Sequence, residues 1–160
     1  AKGQGIILRS SWLMGPVGKN FALQMLKLHL ERNILEVVSD QVGCPTSTLT
    51  LAKACWKLIQ RSTEGQVLPS IMHWCDAGAA SWYDVAFAVG ELGKQNGLLN
   101  SPARLVPIKT SQYPALARRP NYSLLDIHES IIALEIEPLH WRTALEQFLR
   151  LRSEQASKER

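Results

Sequence analysis

A chain of 160 residues with 46% hydrophobic and 20% charged residues has the balance of a folded domain rather than of a disordered segment. The formal net charge is only +4, and no basic stripe interleaves with aromatics, which argues against nucleic acid as a partner. No apolar run approaches the roughly 18 residues of a membrane span, and the start "AKGQGIILR" carries no signal-peptide pattern, so a cytoplasmic protein without a membrane partner is expected.

The chain begins without Met and almost directly on an apolar strand, which reads as a cut inside a larger protein. "GIIL", bounded by Gly and polar residues, reads as a fully buried strand of a parallel sheet. It ends in "RSSWLMG" and a Gly/Pro turn. From Asn20, a good N-cap, Phe21, Met25 and Leu28 share one helical face while Gln24, Lys27 and Glu31 share another. "LEVVSDQ" is a second strand, broken by "GCPT". Ser47 or Thr48 caps a helix through about Arg61 with Leu51, Cys55, Leu58 and Ile59 inward. "SIMHW" is a third strand, followed by the turn "CDAGAA". Ser81 with Asp84 forms a capping-box pattern and opens a helix to about Leu92.

A long irregular stretch from Gly93 to Leu125 follows, of a length that is usually functional or unfolded. Asp126 with Glu129 is another capping-box pattern, and Pro138 separates its short helix from a final one with Trp141, Leu145, Phe148 and Leu149 inward. Residues 1–150 are thus expected to form the folded unit, and 151–160 a charged, frayed tail. Strands alternating with helices predict an α/β protein, although three short strands are few for a free-standing sheet.

Complete catalytic motifs are missing. "GPVGKN" has two residues between its glycines where a phosphate loop needs four, and Asn follows its Lys. There is no GxGxxG on a strand-to-helix turn and no GxSxG elbow. Tyr83, Tyr113 and Tyr122 are followed four residues later by Phe87, Ala117 and Asp126, so no Tyr-x-x-x-Lys pair exists. Cys44, Cys55 and Cys75 are odd in number and irregularly spaced, as reduced thiols are. His73 and Cys75 have no second pair to complete a zinc site, and core or site-wall duty explains them; no metal ligand is assigned.

Binding candidates lie at strand ends and on the long loop. Ligands of open α/β sheets bind beyond the carboxyl ends of strands, where Trp12 can wall a sugar or nicotinamide ring and Ser10 and Ser11 offer hydroxyls. Trp12 is equally explained as core. Asp40 and Gln41 precede a Gly/Pro turn and suit either a pocket or local turn bonds. Arg118 and Arg119 are either solvated or a fork aimed at a diphosphate.

"ILRSSWLMG", "VVSDQVGCPT", "HWCDAGAASWYDVA" and "YPALARRPNYSLLD" come in an order that resembles the dTDP-4-dehydrorhamnose reductases, a family of extended short-chain dehydrogenases. The resemblance runs over roughly residues 6 to 149 and covers only the C-terminal half of that family. It implies the last strands of a Rossmann-type parallel sheet plus a small, mainly helical substrate-binding lobe. It implies NADPH as cofactor, with Mg²⁺ as a family association, and a dTDP-sugar as substrate. The family's glycine-rich loop and its catalytic Tyr and Lys lie upstream of the resemblance, so no catalytic residue is assigned here. Trp12 matches the tryptophan beside the sugar. Ser10 and Ser11 match positions near the nicotinamide. Asn20 and either Arg118 or Arg119 match partners of the diphosphate, and Asp40 with Gln41 shapes the pocket.

This sequence departs from the family pattern at Ser10, Met14, Cys44 and Tyr122, which bears on sugar specificity. A non-catalytic relative, such as the regulatory subunit of methionine adenosyltransferase, and a reductase of another nucleotide sugar are the alternatives. The upstream half is the expected partner, and an unpaired sheet edge left without it favours a homodimer.

Overall fold

The computed structural model describes residues 5–114, 117 and 119–158, with side chains to residue 154. The elements in chain order are β1 (Ile7–Arg9), β2 (Leu13–Met14), α1 (Phe21–Glu31), β3 (Ile34–Val38), β4 (Val42–Gly43), β5 (Thr46–Ser47), α2 (Thr48–Thr63), β6 (Ile71–His73), β7 (Ala80–Ser81), α3 (Trp82–Gln95), β8 (Arg104–Ile108), β9 (Tyr122–Ser123), α4 (His128–Leu134) and α5 (Trp141–Lys158). The α/β class is as expected. Parallel pairs β1–β6, β2–β5 and β3–β8 stand beside a three-stranded β7–β4–β9 ribbon in which β4 is antiparallel to β7 and parallel to β9.

Local chemistry sets the helix starts. The Asn20 carboxamide oxygen accepts from the Leu23 amide at 3.1 Å, and its nitrogen donates to the Gly15 carbonyl at 2.9 Å. Ser47 caps α2 by accepting from the Leu49 amide. At α3 the box is complete: the Asp84 amide donates to Ser81 Oγ at 3.1 Å and the Ser81 amide to Asp84 Oδ2 at 2.8 Å. Ser81→Ala is expected to lower stability by about 1 kcal/mol, read as a lower urea midpoint at unchanged slope.

The core packs α1, α3 and α5 together through Met25, Leu26, Val85, Val89, Leu145 and Phe148. As expected, Trp141, Leu145, Phe148 and Leu149 face inward. His29 is satisfied within this core, its Nε2 donating to the Ala86 carbonyl and its Nδ1 accepting from the Ala103 amide. A second cluster gathers Ala54, Met72, Trp74 and Leu134.

Five expectations change. Arg104–Ile108, read as irregular, is a strand in parallel register with β3, from Ile34 opposite Arg104 to Val38 opposite Ile108. Pro107 hid it, because proline within an apolar run argues against a strand except at an edge. "GIIL" is not fully buried: Ile7 is 57% exposed and its register partner Ile71 44%, so one face of this parallel pair is open. Cys55 and Ile59 do not point inward. The buried positions of α2 are Thr50, Ala54 and Arg61, and a one-residue step rotates a side chain about 100° around the axis. Asp126 and Glu129 form no capping box; Ile127 occupies the cap position, and Asp126 accepts from the His128 amide two residues on. The charged tail is helical to Lys158.

Candidate functional site

Just beyond the end of β1 the backbone takes an unusual conformation. Trp12 has φ 46°, a left-handed conformation unusual for a bulky residue. Three contacts hold it. Its carbonyl accepts from the Thr46 amide at 3.1 Å. Its ring lies flat on Trp82, the first residue of α3, with centroids 3.5 Å apart and planes within 4°. Beneath it runs the backbone of Gly43, so close that a Cβ there would sit 2.4 Å from Trp12 Cε2. Phe21, at the start of α1, packs on Trp82 at 4.6 Å.

Gln41, buried in the turn between β3 and β4, accepts from Trp82 Nε1 at 3.1 Å and donates to Thr110 Oγ1 at 3.1 Å. Asp40 Oδ1 accepts from both the Thr110 hydroxyl and its amide, at 2.6 and 2.8 Å. The Thr110 hydroxyl bond holds the Asp40 carboxyl below its ordinary value; partial burial opposes this, and the Thr110 amide and nearby Lys109 add to it.

Trp12, Gln41, Trp82, Arg119, Pro120 and Ser123 line one cavity of about 210 Å³. That is below the roughly 300–1,000 Å³ of pockets that enclose a whole drug-sized ligand. Three residues expected from sequence, Trp12, Gln41 and Arg119, therefore meet. Asp40, Ser10, Ser11 and Asn20 do not line the cavity. Asp40 is bonded to Thr110 instead. Ser10 Oγ is buried with no hydrogen-bond partner, and Ser11 Oγ donates to the Cys44 carbonyl at 2.9 Å. Arg118 lies outside the described residues. Trp82, Pro120 and Ser123 complete the lining, and no local signal in "SWYD" or "RPNYS" marks these side chains as walls.

Cys44 and Cys75 are both buried, with neighbouring thiols. The Cys75 thiol holds Cys44 down to about 6, with burial opposing and the Leu125 amide helping. Cys75 is pushed up by the neighbouring Cys44 thiol, by burial, and by the charges of Cys44 and Asp76. Among the described residues no group of three or more His, Cys, Asp or Glu converges as a metal site, so Mg²⁺ finds no support. No helix among them is long and apolar enough to cross a membrane.

Residues 1–153 match the family described as the RmlD substrate binding domain. The chain belongs to this family. It is 36% identical over 143 residues to the dTDP-4-dehydrorhamnose reductase of Aggregatibacter actinomycetemcomitans, a match covering 89% of this chain and 49% of that protein. It is 40% identical over 147 residues to the spore coat polysaccharide biosynthesis protein SpsK of Bacillus subtilis, covering 92% and 47% respectively. Its fold superposes on the dTDP-4-dehydrorhamnose reductase of Bacillus anthracis, solved in complex with NADP, with a TM-score of 0.76, 31% identity and coverage of 89% and 47%. The chain thus spans about half the length of these relatives.

Proposed function

We propose that this RmlD substrate-binding chain is the sugar-nucleotide half of a reductase that uses NADPH to convert dTDP-4-dehydro-L-rhamnose to dTDP-L-rhamnose. The observation that carries this is the meeting of an indole wall, a buried carboxamide and a guanidinium around one cavity. Trp12, held between Trp82 and the Gly43 backbone, presents its ring edge to the sugar. Gln41, held through Asp40, meets its hydroxyls. Arg119, or its neighbour Arg118, pairs with the diphosphate, whose geometry a guanidinium matches with two parallel bonds. Asn20 spends its side chain on the cap of α1, where it takes up the Leu23 amide, so only the Phe21 and Ala22 amides at the start of that helix are left for the anion.

NADPH supplies the hydride when bound. The unpartnered hydroxyl of Ser10, with Ser11 beside it, fits the nicotinamide end. The phosphates need a cradle that this sequence does not contain, since it has no GxGxxG turn. The remaining half of the reductase, which supplies that cradle and the Tyr-x-x-x-Lys pair, covers the open face at Ile7 and Ile71 in preference to a second copy of this chain. The chain alone is expected to be inactive, and NADPH oxidation by it with dTDP-4-dehydro-L-rhamnose would refute this.

Calorimetric titration of the chain tests the site. dTDP is expected to bind and thymidine to bind more weakly, because only the former reaches the guanidinium. Arg119→Ala should weaken dTDP about tenfold, the worth of one charge-assisted hydrogen bond at about 1.5 kcal/mol. A chain that is folded by circular dichroism yet takes up no dTDP would sink the reading.

A further inference from the structure

We infer that Thr110, on the turn after β8, is a positioning residue: its single hydroxyl proton fixes the orientation of the Gln41 carboxamide and, through it, the Trp82–Trp12 wall that meets the sugar. The inference rests on the proposed sugar-nucleotide site and adds a specificity element to it.

The direction of every bond in the chain Asp40–Thr110–Gln41–Trp82 is set by its two ends. An ionised carboxylate can only accept, and an indole N–H can only donate. The Thr110 hydroxyl therefore gives its proton to Asp40 Oδ1 at 2.6 Å, and only its lone pairs remain for Gln41. Gln41 must turn its nitrogen to Thr110 and its oxygen to Trp82 Nε1, as found, with both contacts at 3.1 Å. A carboxamide is otherwise nearly symmetric in shape and could flip. The lock comes from a residue 69 positions away.

Two consequences follow from that lock. Gln41 lines the cavity, so one N–H and one lone pair remain for a sugar hydroxyl, on sides that Thr110 has chosen. Trp82 is held edge-on by Gln41 while its face carries Trp12 at 3.5 Å, so the same bond keeps the strained Trp12 in place. Supporting groups of this kind fix a site's geometry without touching its ligand. Thr110 does not line the cavity.

The test compares Thr110→Val, which keeps the shape and the backbone amide, with Thr110→Ser, which keeps the hydroxyl. Two readouts are taken on the chain: the exciton couplet of the stacked indoles in the circular dichroism spectrum, and the gain in affinity of dTDP-L-rhamnose over dTDP. Thr110→Val is expected to diminish the couplet and cut the sugar-dependent gain at least threefold, with dTDP affinity unchanged. Thr110→Ser should retain both. A Val variant with couplet and gain intact, or a Ser variant that loses both, overturns the inference. Should Thr110→Val not fold, Gln41→Met removes the amide while leaving the Thr110–Asp40 bonds, and an unchanged couplet there is equally fatal. Failure of the chain to bind dTDP at all would count against the proposed site, whereas the couplet reports on the relay without ligand.

Discussion

Gly43→Ala is expected to displace Trp12 and abolish the sugar contribution to binding. A Cβ at this position would lie 2.4, 2.7 and 2.8 Å from Cε2, Nε1 and Cζ2 of the Trp12 ring. The backbone cannot retreat, because β4 is paired on both sides, with Ala80 opposite Gly43 on β7 and Ser123 opposite it on β9. The indole cannot slide away either, since Trp82 lies 3.5 Å above it and Phe21 backs Trp82. Gly43 does not have a positive φ, so the effect is one of space rather than of backbone strain. Overpacking of this kind costs about 1–3 kcal/mol of stability. Loss of the wall should weaken dTDP-L-rhamnose on the order of a hundredfold, or about 2.7 kcal/mol. Gly5→Ala, where nothing lies within 4 Å of the added carbon, is the control and should change neither. Urea melts and titration of both variants decide the matter; a Gly43→Ala chain that binds the nucleotide sugar like its parent would show that Trp12 is not the wall.

What could be read from the sequence was local. The Ser81–Asp84 box and the Asn20 cap each depend on groups three residues apart, so their spacing announces them. The inward face of α5 is likewise written in its period. Trp12 was placed at the site by its position at the end of an apolar strand, yet nothing local shows that its φ is 46° or that Trp82 would lie flat against it. The Arg104–Ile108 strand was obscured by Pro107, and with it went the register that carries Thr110 to Asp40. The open face at Ile7 and Ile71 belongs to the same lesson. An apolar run announces that a surface is to be covered, but not whether the cover lies in the same stretch of chain.

Asp76→Ala is expected to lower stability by about 1–3 kcal/mol, and Asp76→Asn much less, because the group serves chiefly as an acceptor. Asp76 is 1% exposed, and its Oδ2 accepts from the Ser47 amide at 2.8 Å. Ser47 caps α2 and pairs with Met14, so this one bond fixes the start of the helix against the strand that follows Trp12. Alanine leaves a buried amide without a partner, whereas asparagine retains an oxygen for it. The charge itself is unwelcome. Burial pushes the Asp76 carboxyl above its ordinary value, against the opposing pull of Thr50, the Ser47 amide and His140, and Oδ1 has no partner. A carboxyl whose folded value exceeds its unfolded one binds its proton more tightly in the native state. Its contribution to stability therefore falls as pH rises from about 3.9 to that higher value, and is level above it. Asparagine has no proton to lose. The stability of the parent chain minus that of Asp76→Asn should accordingly decline with rising pH over that window and then flatten. Chemical denaturation at a series of pH values measures this difference directly; a flat difference, or an asparagine variant as weak as the alanine one, would contradict the account.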